Sequence, residues 1–291
     1  MPTLSSLWSG LEDQLLPVFA DYRSRLAELP VRVKDDRTLL SRADIAVQEL
    51  VVAAIRDFDG PGAVVIAEED KRADVRTDVA GCDGRVWVVD PIDGTAEFVR
   101  GESVEFCSVV CLLEDWEPSA AFVLAPELGS GRVPVSVSAD ARTSQLLLNG
   151  REVSPAGWTE AGMRVSATRS RGEERPGFDV AARRAGYELK TRTTSQTLDM
   201  LRTAVDISAL TTPPLPSFDL FWRRKQKLWD GAAGLCMATA AGLRSCDERG
   251  EPLTWTRDFL SGATPTFAAD VTGRPEAVAW FLDAGPRPAR S

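Results

Sequence analysis

VWVVDPIDGTAEFVRG, residues 86–101, opens with four apolar residues behind the turn signal Asp83-Gly84. A short apolar run bounded in this way reads as a buried strand, Val86–Val89. Pro91 has no N–H for a central ladder, so the strand is expected to stop at Asp90-Pro91. Asp90 and Asp93 stand three residues apart, and on a regular strand an odd spacing sends side chains to opposite faces. A turn at Pro91-Ile92, released by Gly94, brings both carboxylates to one side. The expectation is a strand whose C-terminal end carries two acids followed by Gly94-Thr95.

Two carboxylates about 4 Å apart repel by roughly 4 kcal/mol at an effective dielectric of about 20. A divalent cation between them removes that cost. Oxygen ligands without sulfur or imidazole favour magnesium, manganese or calcium over zinc. The same residues also read as a hairpin turn, Asp93-Gly94, with Asp90 as its solvated neighbour.

The chain has 291 residues, 44% of them hydrophobic, enough for one large domain or two intimate ones with a substantial core. Its net charge of −9 argues against a general nucleic-acid or membrane-surface binder. There is no histidine, which removes mechanisms built on an imidazole base or a His-ligated zinc. Cys82, Cys107, Cys111, Cys236 and Cys246 are odd in number and contain no C-x-x-C pair. They read as buried free thiols in a reducing compartment. With no secretory signal pattern and no apolar run of membrane-spanning length, a cytoplasmic protein is expected.

Leu4–Leu29 has helical periodicity, with Pro17 marking a kink or a break. A second helix is expected from the cap Ser41 to about Phe58, with Asp44 in its first turn as cap or as catalytic acid. Ala63–Ala67 is a strand that runs into Glu68-Glu69-Asp70. Two strands that end in acids about twenty residues apart can set Glu68 beside Asp90 and Asp93. Strands are expected over 102–113, 120–124, 133–137 and 145–148, with Ala125–Gly129 breaking the pattern and Asn149-Gly150 turning a hairpin.

From Met163 the rhythm alternates: strand 163–167, helix 178–185, strand 187–190, helix 197–205 and strand 207–210. This divides the chain into an N-terminal α+β subdomain, 1–157, and a C-terminal α/β subdomain, 158–291. Arg223–Lys227 is the dense basic run, read as solvated surface or as a rim that attracts an anion. Asp230 opens a small-residue helix, 232–241, able to pack close to a neighbour. A strand near 266–268 and a helix over 275–282 close the chain.

The set Glu68-Glu69, Asp90-Pro91-Ile92-Asp93-Gly94-Thr95 and Trp229-Asp230-Gly231-Ala232-Ala233-Gly234 resembles the inositol monophosphatase superfamily in order and separation. Lys34-x-Asp36-x-Thr38-x-x-Ser41-x-Ala43-Asp44 matches that family's early segment, and the likeness runs through nearly the whole chain. It implies a layered α-β-α-β-α fold with the site between two subdomains. By the same resemblance Glu68, Asp90 and the Ile92 carbonyl hold one magnesium ion, and Asp90, Asp93 and Asp230 hold a second. Glu68 also reaches a third, weaker ion, and manganese can substitute. Thr95, with Glu68, orients the attacking water, and the Gly94 and Thr95 N–H groups hold the phosphate.

The implied activity is hydrolysis of a small phosphorylated metabolite by metal-activated water. This chemistry needs no imidazole, because two cations about 3.5–4 Å apart neutralise the entering and leaving oxygens. Two departures bear on substrate. Ser195-Gln196-Thr197-Leu198-Asp199 replaces a Gly-Ser-rich substrate segment, and Arg223 stands where inositol phosphatases carry an acid. A more anionic substrate, a nucleotide or nucleoside 3′,5′-bisphosphate, is expected. The alternatives are an inositol, sugar or polyol monophosphate, or a non-catalytic binding protein that keeps the fold. Lithium sensitivity and a homodimer also follow from the resemblance, with no nucleic-acid or membrane partner.

Overall fold

Residues 4–24 form one helix, α1 (Leu4–Ser24), because Leu7, Trp8, Leu11, Leu15 and Phe19 fall on one buried face. The Thr3 hydroxyl caps it by accepting the Ser6 N–H at 3.2 Å. The computed structural model describes residues 2–25, 32–33, 39–40, 42–69, 79–100, 102–157 and 163–284. Short strands β1 (Arg32–Val33) and β2 (Leu39–Leu40) pair antiparallel ahead of α2 (Arg42–Asp59).

A seven-stranded sheet follows: β3 (Val65–Ala67), β4 (Val86–Asp93), then after α3 (Thr95–Val99) β5 (Cys107–Glu114), β6 (Glu117–Gly129), β7 (Val133–Asp140), β8 (Gln145–Leu148) and β9 (Arg151–Glu152). Its strands lie in chain order. β3 and β4 are parallel, so the C-terminal ends of both, and with them Glu68 and Asp90, lie at one edge. All later neighbours are antiparallel.

The chain then enters a second sheet. β10 (Arg164–Ser166), α4 (Pro176–Arg184), β11 (Glu188–Lys190), α5 (Gln196–Ala204), β12 (Leu220–Lys227), α6 (Leu228–Ala240), β13 (Arg244–Cys246), α7 (Arg257–Ser261), β14 (Thr266–Gly273) and α8 (Pro275–Ala284) follow in sequence. The strand order is β11-β10-β12-β14-β13.

Side-chain alternation sorts these elements into layers. Trp87, Val89, Val110, Leu112 and Phe122 face α1 and α2. Their neighbours Val88, Val109, Cys111 and Val123 face the other way, onto α5 and α6. Phe221 of the second sheet closes that inner layer, while Leu220, Trp222 and Val271 turn outward to Phe178 of α4 and Phe281 of α8. The order is therefore α-β-α-β-α. The inner helices approach closely: a Cβ on Gly234 of α6 would come within 2.5 Å of Met200 Sδ of α5.

Several local expectations are corrected. Pro17 does not break α1: it lies on the exposed face, where water can serve the carbonyl of Asp13 one turn earlier. Residues 26–31 and the cap Ser41 lie outside the described residues. β4 does not stop at Asp90-Pro91 but continues to Asp93 through a bulge, and β6 runs on through Pro126 to Gly129 with its own register shift. Bulges are where a sheet tolerates proline. Residues 208–210 form a 3₁₀ turn rather than a strand. The basic run Arg223–Lys227 is the second half of β12, a strand whose apolar part, Leu220-Phe221-Trp222, is too short to signal itself. Among the described residues, no helix is long and apolar enough to cross a membrane.

Candidate metal centre

The bulge in β4 aligns the two acids. Asp90 stands opposite Val109 and Asp93 opposite Cys107. Val109 and Cys107 are two residues apart on β5 and share a face, so the acids share it too. Three residues of β4 match two of β5, which undoes the odd spacing. Gly94 follows at φ +89°, and a Cβ there would meet the Glu105 carbonyl oxygen at 2.9 Å, so the sharp exit from β4 needs glycine.

Asp230, in the first turn of α6, points to the same place from the inner helix layer. One carboxylate oxygen from each of Asp90, Asp93 and Asp230 lies within 4.8 Å of the others. Asp93 and Asp230 are held by the start of α5. The Ser195 hydroxyl and the Thr197 N–H both donate to Asp93 Oδ2 at 2.7 Å. Gln196 Nε2 donates to Asp230 Oδ2 at 2.6 Å, and the Thr197 hydroxyl donates to the Asp230 carbonyl at 3.1 Å.

Asp90 is 1% exposed, and neither of its carboxylate oxygens has a hydrogen-bond partner among the described residues. Burial pushes its carboxyl well above the usual range, and the charges of Glu68, Asp93, Asp230 and Asp44 push the same way. Burial raises Asp93 to about 6 against the opposing bonds from Thr197 and Ser195. Burial, Asp93 and Glu68 raise Asp230 to about 8, against the pull of Lys227 and Arg223. A buried carboxylate with no hydrogen-bond donor on either oxygen, beside two more carboxylates, fits a hard divalent cation.

The remaining predicted residues fall around this trio. Asp44 is 1% exposed in the first turn of α2. The Thr95 hydroxyl lies 3.3 Å from Asp44 Oδ1 and 3.0 Å from the Ile92 carbonyl oxygen, either of which can accept its hydrogen bond. Glu68 follows β3; its charge reaches all three aspartates, and the Lys227 ammonium lies 3.3 Å from its Oε1. Arg223 stands on the other side, its Nη1 donating to the Thr193 hydroxyl and its Nη2 to the Ser170 hydroxyl, both at 3.3 Å. Its charge acts on Asp230, Glu173 and Asp93.

Sequence reasoning took Lys227 only as part of the basic run and Ser170 only as part of a family-like segment, and it did not single out Thr193. For Lys227 a signal existed: it lies three residues before Asp230, where β12 hands over to α6. Lys225, two residues before it, has φ +53°, which breaks the strand's alternation and hides the side on which each basic residue falls. Thr193 and Ser170 lie in loops, and nothing in the sequence distinguishes Thr193 from other loop hydroxyls.

The family model described as the inositol monophosphatase family matches residues 12–272. A histidinol-phosphatase of Mycobacterium tuberculosis is 42% identical over 108 residues, 36% of this chain and 38% of the relative, so that match spans well under half of the relative's length. The 3'(2'),5'-bisphosphate nucleotidase CysQ of Escherichia coli is 27% identical over 77% of this chain and 82% of the relative. Among solved structures, the extragenic suppressor protein suhB of Bartonella henselae superposes with a TM-score of 0.74 at 16% identity, covering 98% of this chain and 99% of that one, a likeness of fold.

Proposed function

Because the chain belongs to the inositol monophosphatase family, we propose that it is a magnesium-dependent phosphomonoesterase whose substrate is a nucleotide or a nucleoside 3′,5′-bisphosphate. The observation that carries the reading is Asp90: a buried carboxylate without a hydrogen-bond donor, within 4.8 Å of Asp93 and Asp230. Such a site is electrostatically incomplete until positive charge enters it.

The chain's own residues divide the work. Asp90, whose two carboxylate oxygens accept no hydrogen bond from the described residues, would hold magnesium, with manganese as a substitute. Asp93 offers the oxygen that Ser195 and Thr197 leave open, and Asp230 is aimed by Gln196. Glu68 and the Ile92 carbonyl would complete the donor set. Divalent cations held there would offset the charge gathered on the phosphoryl oxygens and acidify water. Thr95 would orient the attacking water, with Glu68 beside it and Asp44 holding the Thr95 proton. The Gly94 and Thr95 N–H groups would receive the phosphate.

Arg223 favours a substrate with a second anionic group. Its guanidinium is fixed by two hydroxyls and faces the acids from one side. The bisphosphate named for the CysQ relative carries such a group. Histidinol phosphate, the substrate named for the relative matched over 38% of its length, carries an ammonium that Arg223 would repel.

Phosphate release with magnesium tests the reading on adenosine 3′,5′-bisphosphate, a nucleoside monophosphate, inositol 1-phosphate and histidinol phosphate. Preference for the nucleotides is expected. Preference for the inositol ester or for histidinol phosphate would reject the substrate class. Tight magnesium binding with no release from any ester would make the chain a binding protein.

A further inference from the structure

Lys227 is the last residue of β12 and stands just before the first turn of α6, which carries Asp230. Its ammonium lies 3.3 Å from Glu68 Oε1 and 5.5 Å from the centre of the Trp229 ring. Its charge also lowers the Asp230 carboxyl. The side chain is about three-quarters covered, so it is held within the acidic cluster and not swinging in solvent. An ammonium is a compact point charge with three donors and no acceptor. At Glu68 it occupies the place a cation would take.

We propose that the Lys227 ammonium is a resident cation of this site. It competes with a divalent ion for Glu68, and so sets how many ions the cluster holds and how tightly. The proposal rests on the reading of Asp90, Asp93 and Asp230 as cation ligands. Those three converge without Glu68, whose carboxylate instead faces a fixed positive charge. A divalent ion that used the same carboxylate would stand beside that charge in a partly buried setting, where like charges repel strongly. The trio keeps its ions, and the Glu68 position is the one weakened.

The test counts ions and needs no substrate. Manganese titrated into the protein is followed by the electron paramagnetic resonance signal of the free ion. The wild type is compared with Lys227→Gln, Lys227→Met, Lys227→Arg and the double variant Glu68→Gln/Lys227→Gln. Circular dichroism and the thermal midpoint establish folding, and the two neutral variants guard against one failing to fold. The neutral variants should bind one more manganese per chain, or hold the weakest one about tenfold tighter or more. Lys227→Arg should match the wild type, and the double variant should lose the added ion. Superimposable isotherms for wild type and both neutral variants would overturn the proposal while leaving the metal centre standing. A wild type that binds no manganese would overturn both.

Discussion

The Ser195 hydroxyl donates to Asp93 Oδ2 across 2.7 Å and at the same time accepts the Leu198 N–H at 3.0 Å. One side chain therefore caps α5 and fixes an acid on β4, 102 residues away. Removing it in Ser195→Ala should cost about 1 kcal/mol for the cap. Loss of the charge-assisted bond adds roughly 1.5–3 kcal/mol. Magnesium affinity should fall about 10–100-fold, as when a partner behind a metal ligand is removed. Calorimetry and urea denaturation on one preparation check both. Lost stability with unchanged magnesium affinity would reduce Ser195 to a helix cap.

How much of this could be read from the chain alone depends on range. Asp90, Asp93 and Gly94 were legible because their chemistry is local: two acids, a proline and a glycine around one turn. The device that aligns them was not, because a bulge is defined by the partner strand, and Val109 and Cys107 say nothing of it in sequence. β12 was hidden for the opposite reason. Its three apolar residues are followed by Arg223-Arg224-Lys225-Gln226-Lys227, a run that reads as solvent-facing. Three of those four charges meet named partners, Arg224 with Glu248, Lys227 with Glu68 and Arg223 with two loop hydroxyls, while Lys225 is exposed. Ile207–Leu210 shows the limit of counting apolar residues, since four residues carry no period that separates strand from turn.

Gly94 is expected to tolerate no side chain. Gly94→Ala places a Cβ 2.9 Å from the Glu105 carbonyl oxygen and puts alanine at φ +89°, where it loses at least about 1–2 kcal/mol. Any shift passes directly to Thr95, and a misplacement of about 1 Å can lower turnover by about 100-fold. Gly94→Asn separates the two causes, because asparagine accepts positive φ better but brings the same Cβ. If the contact dominates, both variants should fall together in kcat. A near-normal Gly94→Asn would assign the effect to backbone conformation alone.

Asp270 gives a pH dependence independent of metal. It is fully buried on β14, its Oδ1 accepts the Thr272 hydroxyl at 2.6 Å, and its Oδ2 has no partner among the described residues. Burial raises its carboxyl from 3.8 to about 7, opposed by the Thr272 bond. A raised folded pKa means that the folded state holds the proton longer than the unfolded state. The group's contribution is therefore fully present below about pH 4 and is lost as pH rises through about 7. The loss is up to about 4 kcal/mol. Asp270→Asn keeps the shape and removes the proton. The stability difference, variant minus wild type, should grow between pH 4 and pH 8 in denaturant titrations at saturating magnesium. Parallel curves would show that the Asp270 charge is accommodated.

Arg223 should govern the choice among esters rather than the chemistry. Its guanidinium is held by Thr193 and Ser170, touches none of the three clustered aspartates by a hydrogen bond, and acts on Asp230 and Asp93 through charge. Arg223→Glu reverses that charge. The ratio of kcat/KM for adenosine 3′,5′-bisphosphate to that for inositol 1-phosphate should fall about 10–100-fold, since a charge-assisted contact to the second phosphate is replaced by repulsion. Magnesium must be saturating in both proteins, because the reversal also makes the acidic cluster more negative and changes its cation affinity. Arg223→Gln, which removes charge without reversing it, should lie between the two. If all esters decline by one common factor, Arg223 is supporting the metal ligands and not reading the substrate. If the ratio moves while turnover of the inositol ester is kept, the second anion of the substrate is what Arg223 recognises.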